Sequence, residues 1–145
     1  MSLPLSIFVI AKNEVDRIGP TLESVTGLSD DIVVIDSGST DGTQELAERL
    51  GARVIFNPWP GYGLQKQFGE DQCRHDWMLN IDADEVMTAE LVASIRAAIG
   101  VSDVQPCGYE TDIIEMFPGE AKPHAWAFRL SPVRLYHKQV GRYSP

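Results

Sequence analysis

Trp77-Met78-Leu79-Asn80-Ile81-Asp82-Ala83-Asp84-Glu85 is an apolar run that ends in two aspartates one residue apart. As a strand, it would aim Asp82 and Asp84 to the same side, because residues two apart share a face. Two carboxylates on one spot suit a hard cation such as Mg²⁺ or Mn²⁺. Such an ion keeps positions open for waters and phosphate oxygens. A D-x-D after a strand is also an ordinary turn, so the metal reading depends on what surrounds it.

Three apolar runs precede this one, each followed by a helical pattern. Ser6 to Ile10 reads as a buried strand, with Ile18, Leu22, Val25 and Leu28 on the stripe that follows. Ile32 to Ile35 is the second strand. Asp41 and Gln44 then have the spacing of a capping box, ahead of Leu46, Ala47 and Leu50. Arg53 to Phe56 is the third strand. The turn-rich Asn57 to Gly63 leads into a helix from Leu64 to Cys73. After the aspartates, Thr88 caps a helix that Gly100 ends. Four strand–helix units in series predict an α/β fold with a mostly parallel central sheet covered on both faces. Beyond Gly100 the rhythm changes. Tyr109 to Phe117 reads as one longer strand, Pro118-Gly119 as a turn, and Ala125 to Phe128 and Val133 to Tyr136 as short strands. A boundary near residue 101 separates a nucleotide-type half, 1–100, from a second segment, 101–145, within one structural domain.

The 145 residues suffice for one core, and no apolar run approaches the ~20 residues of a membrane span. No secretory leader is visible, and Cys73 and Cys107 lack metal-type spacing, so a reducing cytoplasm is expected. The net charge of −9 argues against nucleic acid as a partner. It is unevenly spread. Residues 1–120 hold 7 Lys/Arg and all 21 Asp/Glu, whereas residues 121–145 hold Lys122, Arg129, Arg134, Lys138 and Arg142 and no carboxylate. That basic segment is either a solvated edge or a surface for an anionic acceptor. His75, His124 and His137 share no ligand spacing and read as structural. Trp126 is the aromatic to test for stacking on a sugar.

Open parallel sheets bind ligands at the carboxyl ends of their strands. Here the first strand delivers Asn13 and Glu14, the second Asp36, and the fourth Asp82 and Asp84. That convergence marks a functional cleft. Ala11-Lys12-Asn13-Glu14 lacks the glycines of a dinucleotide turn, and no P-loop exists, so phosphate charge calls for another partner, such as an aspartate-held metal. Asp36, as a free carboxylate, accepts only, and suits an N–H of a base or a sugar hydroxyl.

Val9 to Glu14, Val34 to Thr43 and Asp76 to Glu85, with Gly61 to Gln67, resemble family 2 glycosyltransferases. Within that family the chain is most similar to the subgroup of lipopolysaccharide-core β-1,4-glucosyltransferases. The resemblance implies a GT-A, Rossmann-like three-layer sandwich and an inverting transfer from a UDP-sugar. The sugar implied is glucose, and the acceptor a saccharide or lipid-linked envelope molecule. It implies that Ala11 and Glu14 line the nucleotide pocket, that Asp36 meets the uracil, and that Asp82 lies near the ribose. Asp84, with Asp82 beside it, would hold Mg²⁺ or Mn²⁺, and Lys66 would neutralise phosphate. A lipid-linked acceptor places the protein in the cytoplasm at the inner face of the membrane, in peripheral contact with it.

Besides a nucleotidyltransferase on a related fold, which would want a glycine-rich basic loop near the first strand that is absent here, two rivals stand beside this. Asp82-Ala83-Asp84-Glu85-Val86 fits the D-x-D-x-[TV] of haloacid-dehalogenase phosphatases, although there the motif follows the first strand and here three units precede it. A non-catalytic nucleotide-binding fragment is the other. In the family the catalytic base is an acidic residue in the acceptor half, whereas Glu120 is the last carboxylate here. The base is therefore expected beyond Pro145, with Glu115 and Glu120 as the alternatives within the chain.

Overall fold

The computed structural model describes residues 1–145. Eight strands and four helices run in the order β1 Leu3–Ala11, α1 Ile18–Ser24, β2 Ser29–Asp36, α2 Thr43–Arg49, β3 Arg53–Phe56, α3 Tyr62–Gln72, β4 Trp77–Asn80, α4 Ala89–Ile99, β5 Gly108–Glu110, β6 Ile113–Ile114, β7 Arg129–Leu130 and β8 Val133–His137. Six strands form the main sheet in the order β3-β2-β1-β4-β8-β5. The first four are parallel; β8 runs antiparallel to β4, and β5 antiparallel to β8.

Side-chain alternation along β1 builds the layers. Leu5, Ile7 and Val9 point into a core with Ile18 and Leu22 of α1, Ala47 of α2, and Ile95 and Ile99 of α4. Phe8 points the other way, with Val33, Ile35, Met78 and Tyr136, against Phe68 of α3. The result is a three-layer sandwich, as the alternating pattern predicts. α3 reaches the sheet through Gly69, where an added Cβ would lie 2.6 Å from Phe8 Cδ2. Overpacking of this kind costs about 1–3 kcal/mol, of which a helix-propensity gain of up to about 1 kcal/mol is returned. Gly69→Ala should therefore lose about 1–2 kcal/mol in thermal or urea denaturation; an unchanged melting temperature would contradict the close helix–sheet approach.

Thr88 caps α4 as expected, accepting from Leu91 N–H at 3.1 Å, and Gly100 follows as its C-cap. The capping box does not form. Gly42, at φ 96°, is the N-cap of α2, and Asp41 accepts from Thr43 N–H at 3.0 Å one position earlier. Gln44 turns to Asp36 instead, at 2.5 Å. The long strand expected over Tyr109 to Phe117 is broken: β5 pairs with β8 in the main sheet, while β6 pairs with β7 in a separate two-stranded sheet. Ala125-Trp126 is a turn, and the strand starts at Arg129.

The basic C-terminal segment turns inward. Arg142 pairs with Glu70 at 3.1 Å and Asp71 at 2.5 Å, Lys138 pairs with Asp76, and Arg134 reaches Asp82 and Glu85. Three of its five cations thus neutralise the acidic body, and Lys122 and Arg129 stay exposed. No helix is long and apolar enough to cross a membrane.

Candidate functional site at the β1–β4 switch point

The chain adds β2 and β3 on one side of β1 and then returns to place β4 on the other. The crevice at the carboxyl ends of β1 and β4 is the switch point where such sheets take ligands. One wall is made by the loops after β1 and β2, which are laced together. Asn13 N–H donates to Ser39 Oγ at 2.8 Å, and Asn13 Oδ1 accepts from Thr40 N–H at 2.9 Å. Glu14 N–H donates to Thr43 Oγ1 at 2.9 Å, and Val15 N–H to Asp41 Oδ2 at 3.1 Å. Asn13 adopts φ 54°, a left-handed value that asparagine tolerates. Ala11 is buried at the end of β1, and the Glu14 carboxylate lies 2.7 Å from Arg17.

Asp36 is not a free acceptor. It is fully buried, and its carboxylate takes Gly38 N–H at 2.8 Å, Ser39 N–H at 2.9 Å, the Ser39 hydroxyl and the Gln44 amide. Burial alone would raise its pKa, but these four donors outweigh burial and hold it below the usual carboxylate range. Asp36 therefore organises the loop from within.

The other wall is the turn after β4, and here the strand premise fails. β4 stops at Asn80, so Asp82 and Asp84 sit on a turn and not on alternate positions of a strand. Glu85 N–H donates to Asp82 O at 3.0 Å, and Asp82 N–H donates to Glu85 Oε2 at 2.8 Å. From α1, Thr21 Oγ1 donates to Ala83 O at 2.9 Å. From β8, Arg134 donates through Nη1 to Asn80 Oδ1 at 2.9 Å, and through Nη2 to Asp82 Oδ2 at 3.2 Å and Glu85 Oε1 at 2.9 Å. Lys66 Nζ adds a contact to Asp82 Oδ1 at 3.4 Å and lies 4.9 Å from the centre of the Tyr143 ring. Burial would raise the Asp82 pKa, but Arg134 and Lys66 hold it down. Burial lowers that of Lys66, with Asp82 opposing.

Asp84 is different. It is exposed, and it has neither a hydrogen bond nor an ion pair to its side chain. The structure thus brings Lys66 and Asp82 together and sets Asp84 free beside them. It places Asp36 inside the opposite loop and turns Glu14 toward Arg17. Arg134, Glu85, Thr21 and Asn80 complete the site and were not foreseen. Arg134 stood out only as part of a basic run, and its partners lie about 50 residues away in the chain.

Comparison with known proteins gives the family and the fold. A family model described as glycosyl transferase family 2 matches residues 6–139. An uncharacterized glycosyltransferase of Rickettsia prowazekii is 40% identical over 97% of this chain and 48% of its own length. A lipopolysaccharide core biosynthesis glycosyltransferase of Rhizobium meliloti is 41% identical over 70% of this chain and 39% of its own. The chain therefore spans about half the length, or less, of the curated relatives it matches. Among solved structures, glucosyl-3-phosphoglycerate synthase of Mycobacterium tuberculosis, with Mn²⁺, UDP and phosphoglyceric acid, aligns at a TM-score of 0.51 and 32% identity. The alignment covers 58% of this chain and 34% of that one. The same enzyme has been solved with Mg²⁺ and UDP. A three-layer GT-A sandwich, with its crevice at the β1–β4 switch point and a family match running from β1 past β8, makes this chain a member of glycosyl transferase family 2.

Proposed function

We propose that this chain carries the donor site of an inverting glycosyltransferase that takes a sugar, glucose as the first candidate, from a UDP-sugar. The observation that carries this is Asp84: an exposed carboxylate without a protein partner, on a fixed turn whose other carboxylates, Asp82 and Glu85, pair with Lys66 and Arg134. A metal fits this donor set only together with a nucleotide. No group of three His, Cys, Asp or Glu is gathered to hold an ion unaided. Mg²⁺ and Mn²⁺ accept one carboxylate, with phosphate oxygens and waters filling the remaining positions. Asp84 would hold such an ion against the diphosphate, where it offsets the charge that grows on the leaving group.

The chain's own residues do the rest. Lys66 meets phosphate charge, and Asp82 keeps Lys66 and Arg134 in place while facing the ribose. Ala11 and Glu14 border the nucleotide, and Asp36 shapes the loop opposite. Residues 101–145 begin the acceptor side, for a saccharide or lipid-linked envelope acceptor handled at the inner face of the membrane. The UDP and Mn²⁺ or Mg²⁺ found with the mycobacterial enzyme support this reading. The phosphatase alternative has the motif after the first strand; here it follows β4, and Asp82, its nucleophile, is clamped by two cations.

Calorimetric titration of UDP, GDP and CDP, each with Mn²⁺, Mg²⁺ or EDTA, tests the proposal. UDP should bind most tightly, and at least tenfold more tightly with metal than with EDTA. Equal UDP affinity in metal and EDTA would overturn the metal role, and preference for another nucleotide would overturn the donor.

A further inference from the structure

We infer that Arg134 is a positioning residue for the metal site: its guanidinium holds both flanks of the turn that presents Asp84. The inference rests on the donor reading above. Asp82 and Glu85 bracket Asp84 in sequence, and both carboxylates accept from the same Nη2 of Arg134, at 3.2 and 2.9 Å. Nη1 ties that turn to the end of β4 through Asn80 Oδ1 at 2.9 Å. Asn80 is itself fixed, donating from Nδ2 to Phe8 O at 3.1 Å and accepting from Tyr143 Oη at 2.9 Å. The Arg134 side chain is only 10% exposed, and its Nε has no partner, so the group is committed to this fork.

The arrangement has a mechanical consequence. Asp84 makes no contact that would fix it, so its position is inherited from residues 82, 83 and 85. Thr21 pins Ala83, and Glu85 closes on Asp82, but only Arg134 links the turn to the sheet at both flanks. Arg134 lies on β8, beyond residue 100, so the donor turn is braced by the second half of the chain. A lysine keeps the charge but offers a single point of attachment, and it cannot span Asn80, Asp82 and Glu85 in one plane. Residues that orient metal ligands typically change metal affinity by about 10–100-fold when removed.

The test uses Arg134→Met, Arg134→Lys and Glu85→Gln, with Mn²⁺ titrated in the presence of UDP, UDP titrated in EDTA, and thermal melting of each protein. Arg134→Met should raise the Mn²⁺ concentration for half-saturation by about 10–100-fold. Arg134→Lys should stay close to Arg134→Met, and UDP affinity in EDTA should remain near wild type. Glu85→Gln removes one arm of the fork with little loss of volume and should shift Mn²⁺ in the same direction. It keeps the inference testable if Arg134→Met does not fold. Full rescue by lysine would mean that charge alone matters, and would overturn the fork. A loss of UDP affinity in EDTA as large as the loss with metal would make Arg134 a direct phosphate contact and overturn the positioning role. If wild type ignores metal, the metal role falls and this inference with it. If wild type responds to Mn²⁺ and both Arg134→Met and Glu85→Gln respond equally, this inference alone falls.

Discussion

Asp84→Ala should abolish the metal-dependent part of UDP binding and leave the melting temperature within about 1 °C of wild type. The first half follows from Asp84 being the one carboxylate of the turn with no protein partner. Loss of at least tenfold in affinity with Mn²⁺, and none in EDTA, corresponds to about 1.4 kcal/mol or more of metal-specific binding. The second half follows because replacing an exposed side chain that makes no hydrogen bond or ion pair changes stability by within about 0.5 kcal/mol. Asp82→Ala, which removes one arm of the Arg134 fork, should weaken the Mn²⁺ response without abolishing it and should also destabilise the protein. It removes the acceptor shared by Lys66 and Arg134, whose side chains are only 14% and 10% exposed, and leaves two cations facing each other. Its main effect should be on the melt. Calorimetry and melting of both variants separate the two roles. If Asp84→Ala keeps the full metal increment while Asp82→Ala loses it without destabilisation, Asp82 and not Asp84 is the ligand.

The contrast between these aspartates shows how far the sequence reaches. The four strand–helix units were legible because each strand is an apolar run and each helix a 3.6-residue stripe, and both signals are local. The end of β4 was not. Ile81 extends the apolar run and still donates its N–H to Phe8 O at 3.3 Å, but the strand stops at Asn80 and the chain turns over residues 82–85, where Glu85 N–H closes on Asp82 O at 3.0 Å. The break between β5 and β6 was hidden for a related reason. Tyr109 and Ile113 are each half-buried and apolar enough to read as one strand, yet they pair with different partners, Leu135 and Leu130. In the site, strand ends and residue types pointed to Asp84 and Asp82, and the family resemblance pointed to Lys66. What they could not reveal was which carboxylates are already engaged. That depends on Arg134 crossing from β8 and on Gln44 turning back to Asp36, pairings with no local signature. The charge split was visible, but its meaning, an acidic body clasped by its own basic C-terminal segment, needed the contacts.

Asp31→Ala should lose about 3 kcal/mol of stability, or roughly 10 °C in melting temperature, with the nucleotide crevice untouched. Asp31 is 1% exposed on β2. Its carboxylate accepts from Ser6 Oγ on β1 at 2.5 Å, from Arg53 Nε on β3 at 2.9 Å, and from the N–H of Arg74, just before β4, at 2.9 Å. One side chain therefore joins three neighbouring strands and the approach to the fourth. Alanine leaves a buried hydroxyl and a half-buried guanidinium without this acceptor, while the Arg74 N–H keeps Ser6 Oγ at 3.0 Å, and each group so orphaned costs about 1–3 kcal/mol unless water reaches it. Burial by itself would raise the Asp31 pKa, but the donors from Ser6, Arg74 and Arg53 outweigh it, so the folded value lies below the ordinary 3.8. A carboxyl whose folded pKa is depressed adds stability above its unfolded pKa and loses it as pH falls through the folded one. Asp31→Asn keeps the shape and removes that linkage. The stability gap between wild type and Asp31→Asn should be widest near neutral pH and should close below about pH 4, as the wild-type carboxylate takes up its proton. Denaturant titrations at several pH values measure it. A gap that stays constant from neutral pH down to about pH 2 would mean that the charge on Asp31 contributes nothing and that its shape alone holds the strands together.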